Sequence, residues 1–123
     1  MISIDSSGWI ERLTSGPKSS RYNRIIDSAS QDELITSVVV FYDVYRKIKR
    51  AMGEEIALEA VAALSQTRVV GIDPTISLEA TDFRPACGLH MADAIVYATS
   101  SRYSAELYTS DNNLKKLKGV AFV

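Results

Sequence analysis

Apolar positions along this chain switch repeatedly between two spacings. Residues 1–4 place Ile2 and Ile4 on either side of a polar serine, the two-residue repeat of a strand, and the run stops at Asp5. Ser6 or Ser7 then caps a helix carrying Trp9, Ile10 and Leu13. Gly16-Pro17-Lys18-Ser19-Ser20 has the composition of a turn, and residues 21–29 return to helical spacing with Tyr22, Ile25 and Ile26 on one stripe. Leu34-Ile35-Thr36 reads as a short buried strand. Ser37 opens a long helix that runs to about Met52 and closes on Gly53.

Residues 54–66 repeat the helical pattern with Ile56, Ala60, Ala63 and Leu64. Residues 68–72 are β-rich, and Pro74 starts a further helix at a position where a missing N–H costs nothing. Arg84-Pro85 and Gly88 predict a break before a helix over 89–103 that is rich in small residues. A strand over Glu106–Thr109, a short helix over 112–118 and a last strand over 120–123 complete the pattern. Strands alternating with helices imply an α/β fold, a parallel sheet with helices on both faces. There is no internal repeat.

Composition narrows the class. With 123 residues the chain is expected to form one domain, 1–123, burying roughly 65–70% of the surface its unfolded form exposes. A hydrophobic content of 46% excludes disorder, and the single cysteine, Cys87, excludes a disulfide scaffold. A thiol without a partner suits a reducing, cytoplasmic compartment. The longest apolar run, 38–42, stops at Asp43, far short of a membrane span, and no signal peptide is expected at the N-terminus. Fourteen Lys plus Arg against 15 Asp plus Glu give a net charge of −1, so any nucleic-acid contact must use a local patch.

Four aspartates carry the candidate chemistry. Asp5 ends the first strand and Asp111 follows the strand Glu106–Thr109, at the carboxyl ends of strands where open α/β sheets bind ligands. Either residue also reads as a plain helix N-cap. Asp43 interrupts an apolar helix but has Arg46 and Lys47 three and four positions on, the spacing of surface ion pairs. Asp93 sits in Met91-Ala92-Asp93-Ala94-Ile95 with no basic residue at those spacings. Four carboxylates at one site raise each other's pKa, and a divalent cation relieves the conflict. All-oxygen ligands without His or Cys suit Mg²⁺ or Mn²⁺. The matching chemistry is metal-assisted phosphodiester hydrolysis.

These residues also carry a family likeness. With Ile4-Asp5-Ser6-Ser7, the helix from Thr36-Ser37-Val38 through Arg46, the stretch 90–99 around Ala92-Asp93-Ala94, and Tyr108-Thr109-Ser110-Asp111, the chain resembles a PIN-domain ribonuclease of the VapC toxin type, found in bacterial and archaeal toxin–antitoxin pairs. The likeness covers nearly the whole chain and implies a single PIN domain: a three-layer α/β/α sandwich around a parallel sheet of four or five strands. It implies a Mg²⁺- or Mn²⁺-dependent endoribonuclease with the acidic quartet Asp5, Asp43, Asp93 and Asp111, of which Asp5, Asp93 and Asp111 ligate the metal. Thr109 would be the hydroxyl residue near the metal and Ser6 would help order the site. An RNA substrate, a cognate VapB-type antitoxin docked between the early helices and the cleft, and a homodimer follow from the same likeness.

One position departs from the pattern. The family usually carries Glu where this chain has Asp43, and one methylene less shortens the reach by roughly 1.2–1.5 Å. Asp43 would then act through water, and a weakened, partner-binding protein that cleaves nothing is the alternative reading.

Half of the basic residues fall in two stretches, Arg46, Lys47, Lys49 and Arg50, then Lys115, Lys116 and Lys118. They read either as solvated faces, as contacts to an acidic partner segment, or, for Arg46, Arg50, Lys115 and Lys116, as contacts to the RNA backbone. His90 reads as a helix-start residue and Cys87 as a small buried one. A phosphoacceptor receiver domain of similar length would need an acidic pair after the first strand, where only Asp5 stands, and Asp73, before Pro74, has no evident acidic pocket partner.

Overall fold

β1 (Ile2–Ile4) is the middle strand of a five-stranded sheet in the computed structural model, which describes residues 1–123. The sheet order is β3-β2-β1-β4-β5, with β2 (Leu34–Ser37), β3 (Arg68–Val70), β4 (Glu106–Thr109) and β5 (Val120–Phe122), and every pairing is parallel. Helices α1 (Ser6–Thr14) and α2 (Ser19–Ser28) join β1 to β2, and α3 (Val38–Met52) and α4 (Glu54–Ser65) join β2 to β3. Helices α5 (Pro74–Cys87) and α6 (Met91–Arg102) carry the chain back across the sheet to β4. Right-handed crossovers then put α1 to α4 on one face and α5 and α6 on the other. The strand order reverses between β1 and β4, so the crevice that such sheets offer to ligands opens at their carboxyl ends.

Burial follows the periods read from the sequence. All four residues of β2 are buried, as expected of a strand covered on both faces. Thr36 donates to Thr67 Oγ1 at 2.6 Å, because the Thr67 hydroxyl is itself engaged by the Leu64 carbonyl at 2.7 Å. Val40, Val44 and Ile48 form the buried stripe of α3, and residues 94–100 of α6 are buried all round. The alanines there let α6 lie close against β2 and β4. Gly8 has a similar task on α1: a Cβ at that position would run into the Tyr22 ring and the Ile4 side chain. No helix is long and apolar enough to cross a membrane.

Several boundaries differ from the sequence reading. The predicted break at Arg84-Pro85 is absent, and α5 continues to Cys87, where Gly88 (φ 68°) closes it. Pro85 lies in the last turn, where its missing N–H removes a single helical bond and its neighbours are solvent-exposed. The expected helix over 112–118 is instead a string of turns with i→i+3 bonds, such as Leu114 N–H to the Asp111 carbonyl and Leu117 N–H to the Leu114 carbonyl. Asn112-Asn113 and Asp111 favour local side-chain-to-backbone bonds that compete with a regular helix. The last long helix starts at Met91, with His90 as its N-cap, and β3 ends at Val70. A one-turn 3₁₀ helix, Gln31–Glu33, precedes β2 behind a Ser30–Glu33 capping box that the apolar pattern did not reveal.

Candidate metal centre

Asp5 leaves β1 and becomes the N-cap of α1. Its Oδ1 accepts the Ser6 N–H at 2.8 Å, and its Oδ2 accepts the Thr109 hydroxyl at 2.8 Å. The cap is therefore the carboxylate, one of the caps the sequence offered beside Ser6 and Ser7, and capping leaves the second oxygen facing β4. Parallel pairing sets this up. Ile4 lies opposite Tyr108, and the Asp5 N–H extends the ladder to the Tyr108 carbonyl at 3.0 Å, so the next residue on each strand comes side by side. Asp5 is only 4% exposed and Thr109 is fully buried.

Thr109 also accepts the Asp111 N–H at 2.9 Å, so one hydroxyl holds both the Asp5 carboxylate and the start of the Asp111 loop. Asp111 Oδ1 accepts the Asn113 N–H at 2.8 Å, which makes Asp111 a turn-capping residue as well. Ser110, between them, is fastened from three sides. Its N–H donates to Ser7 Oγ at 3.2 Å, its hydroxyl donates to the Val123 backbone oxygen at 3.2 Å, and the Tyr22 hydroxyl donates to its oxygen at 2.7 Å. Asp93 comes from the opposite helical layer, in the first turn of α6, where unpaired N–H groups favour negative charge. Carboxylate oxygens of Asp5, Asp93 and Asp111 all lie within 4.8 Å of one another.

Crowding shows in their acidities. Burial raises the Asp5 pKa above the ordinary carboxylate value; the Thr109 and Ser6 hydrogen bonds oppose the rise, while the charges of Asp111 and Asp43 add to it. Asp93 is pushed up to about 6, first by burial and then by Asp111 and Asp5, with His90 opposing. None of the three carboxylates forms an ion pair with Lys or Arg. Three hard oxygen donors around one point without a counter-charge are a fitting donor set for Mg²⁺ or Mn²⁺ and a poor one for zinc.

Asp43 stands apart from this trio. Its carboxylate lies 3.9 Å from Arg46 on the same helix, and its field still reaches Asp5 and Asp93. Ser6 touches the site through its backbone N–H; the hydroxyl that reaches across is that of Ser7. Arg46 also lies over the Tyr42 ring at 5.8 Å, while Arg50 and Lys116 are exposed. Lys115 sits over Phe122 with its Nζ 4.6 Å from the ring centroid. Asp73 caps α5 through the Ile76 N–H at 2.8 Å, and Cys87 is half-buried with a free thiol. Ser7, Tyr22 and Ser110 escaped the sequence reading. Tyr22 fitted an apolar stripe, and only the Thr109-Ser110-Asp111 run hinted that a hydroxyl there has work to do.

The PIN domain family model matches residues 2–120. No protein of curated function matches the sequence. Among solved structures, a toxin–antitoxin complex from Klebsiella pneumoniae has a chain that is 21% identical with a TM-score of 0.82, over 98% of this chain and 96% of that one. VapC20 of Mycobacterium tuberculosis, described as a sarcin–ricin loop cleaving toxin, is 19% identical with a TM-score of 0.80, over 91% of each chain. VapBC2 from Rickettsia felis, bound to a DNA fragment from its promoter, is 10% identical with a TM-score of 0.75, over 100% of this chain and 98% of that one. At these identities the likeness is one of fold.

Proposed function

The chain belongs to the PIN domain family, and on that premise we propose that it is a metal-dependent endoribonuclease toxin, hydrolysing RNA phosphodiester bonds and neutralised by a cognate VapB-type antitoxin. The observation that carries this reading is the unpaired trio Asp5, Asp93 and Asp111, with oxygens within 4.8 Å of one another at the β1/β4 switch point. The similarity to a VapC toxin and to toxin–antitoxin complexes supports the toxin assignment. Residues 1–123 act as one PIN domain, cytoplasmic and homodimeric.

In this account Asp5, Asp93 and Asp111 hold Mg²⁺ or Mn²⁺. Such an ion, when bound, stabilises charge on the phosphodiester and acidifies a water. Thr109 locks the Asp5 carboxylate and the Asp111 backbone in one geometry, and the Ser6 N–H fixes the other Asp5 oxygen. Asp43 completes the acidic quartet from outside the trio, orienting water from beside Arg46. Arg46, Arg50, Lys115 and Lys116 contact backbone phosphates, which positions RNA without reading its sequence.

In this reading the antitoxin segment docks between the early helices and the cleft; the space between α1, α2 and α4 lies at the amino ends of β2 and β3, away from the trio. A cavity of about 340 Å³ there is lined by Trp9, Ile26, Leu34 and Ala63, with Arg12 and Asp27 at its rim. Trp9 Nε1–H is buried with no hydrogen-bond partner.

Cleavage of single-stranded RNA with Mg²⁺ or Mn²⁺, compared with EDTA and with Asp5→Asn and Asp93→Asn, tests the reading. Loss of cleavage in all three controls is expected. Cleavage that survives them belongs to a contaminant. A wild-type protein silent with either metal would favour the partner-binding alternative, in which the short Asp43 disables the site.

A further inference from the structure

The ribonuclease reading leaves an electrostatic problem: an acidic site on a chain of net charge −1 must draw in a polyanion. Of the fourteen cations, three face a carboxylate and two more lie over a tyrosine ring. Arg46 faces Asp43, Arg12 faces Asp27 and Arg102 faces Glu79. Arg68 lies over Tyr103, which follows α6 at the amino edge of the sheet, and Lys49 lies over Tyr45.

Lys18 and Lys115 differ from these. They come from loops far apart in sequence, yet both ammonium groups lie over the same ring, that of Phe122, at 5.4 and 4.6 Å from its centroid. Neither forms an ion pair with an acidic side chain. Phe122 pairs in register with Thr109, the residue that holds Asp5, and stands on the exposed edge strand. Lys18 Nζ donates to the Val123 backbone oxygen at 3.0 Å, and that oxygen also accepts the Ser110 hydroxyl, one residue before Asp111. The pair is therefore tied to the loop that carries a member of the trio.

We propose that Lys18 and Lys115, gathered on Phe122 beside the Asp5–Thr109 contact, form a clamp for backbone phosphate of single-stranded RNA; the proposal rests on the ribonuclease reading above. Two like charges gathered at one ring raise the local positive potential, and a bound anion offsets it while gaining charge-assisted hydrogen bonds. Cation–π contact with Phe122 and the Val123 bond restrict both side chains before RNA arrives, so less freedom is lost on binding.

The test is the salt dependence of binding of a labelled, unstructured RNA oligonucleotide, read by fluorescence anisotropy in EDTA so that nothing is cleaved. Each lost phosphate contact on a single strand lowers the slope of log K against log salt by about 0.7. Lys18→Gln with Lys115→Gln should lower it by about 1.4, and Phe122→Leu should weaken binding with both lysines present. Lys118→Gln with Arg102→Gln, which removes the same charge at the amino ends of β4 and β5, should leave the slope unchanged. An unchanged slope in the Lys18/Lys115 variant, or an equal fall in the Lys118/Arg102 control, overturns the clamp while wild-type binding keeps the ribonuclease reading intact. A lysine pair that binds polyglutamate but leaves the RNA slope unmoved would be a surface for an acidic protein segment, and the clamp would again be wrong. Wild-type protein that neither binds nor cleaves RNA overturns the ribonuclease reading and the clamp with it.

Discussion

Thr109 reaches across 104 positions of sequence to donate its hydroxyl to Asp5 at 2.8 Å. The same oxygen accepts the Asp111 N–H, so a single methyl-for-hydroxyl change disconnects two of the three clustered acids. Thr109→Val keeps the volume and shape of the buried side chain. It should weaken Mn²⁺ binding by about 10–100-fold, the usual effect of losing a group that orients a metal ligand. Thr109→Ser should restore most of it. Titration calorimetry of the three proteins checks both expectations, and equal affinities would mean that Thr109 orients nothing.

Metal and pH should be linked through the same acids. Asp93 titrates near 6 and Asp5 is also raised, so without an ion both favour the protonated folded state. A raised acid gives stability that is present below its unfolded pKa of 3.8 and is lost as pH rises toward about 6. The metal-free protein should therefore melt at a higher temperature at pH 5 than at pH 7.5. Added Mg²⁺ should raise Tm more at pH 7.5, where the carboxylates are already ionised; an ion at 100 times its Kd contributes about 2.7 kcal/mol. Thermal melts at the two pH values, with and without Mg²⁺, check this. Equal metal-induced shifts at both would contradict it.

Asp43 offers a test of reach. It lies outside the trio and beside Arg46, at the position where the resembled family carries Glu. Asp43→Glu should tighten Mn²⁺ binding and raise turnover several-fold, whereas Asp43→Asn should cost far less metal affinity than Asp93→Asn. Mn²⁺ titration and RNA cleavage rates across the series decide the matter. No gain from the longer acid would mean that the surroundings have adapted to the shorter one.

What could be read from the sequence was local. Two-residue and helical spacings gave the β–α alternation, and with it the parallel sheet and the carboxyl-edge position of Asp5 and Asp111. Asp93 stood out because nothing around it in Met91-Ala92-Asp93-Ala94-Ile95 could balance its charge. Features that depend on distant partners were not legible. The Tyr22 hydroxyl looked like part of an apolar stripe until Ser110, 88 positions on, came within 2.7 Å. Pro85 looked like a stop because the sequence does not reveal that only the last exposed turn of α5 remains beyond it. Residues 112–118 had helical spacing, but Asn112, Asn113 and Asp111 supply backbone partners of their own and turn the segment into i→i+3 bonds.

The central claim is that Asp5, Asp93 and Asp111 together hold one divalent ion. Direct titration of the purified chain with Mn²⁺, followed by the ion's electron paramagnetic resonance signal, tests it without reference to any substrate. Wild-type protein should take up the ion at a site that Asp5→Asn, Asp93→Asn and Asp111→Asn each abolish or weaken at least tenfold. Uptake that persists unchanged in all three variants would contradict the account.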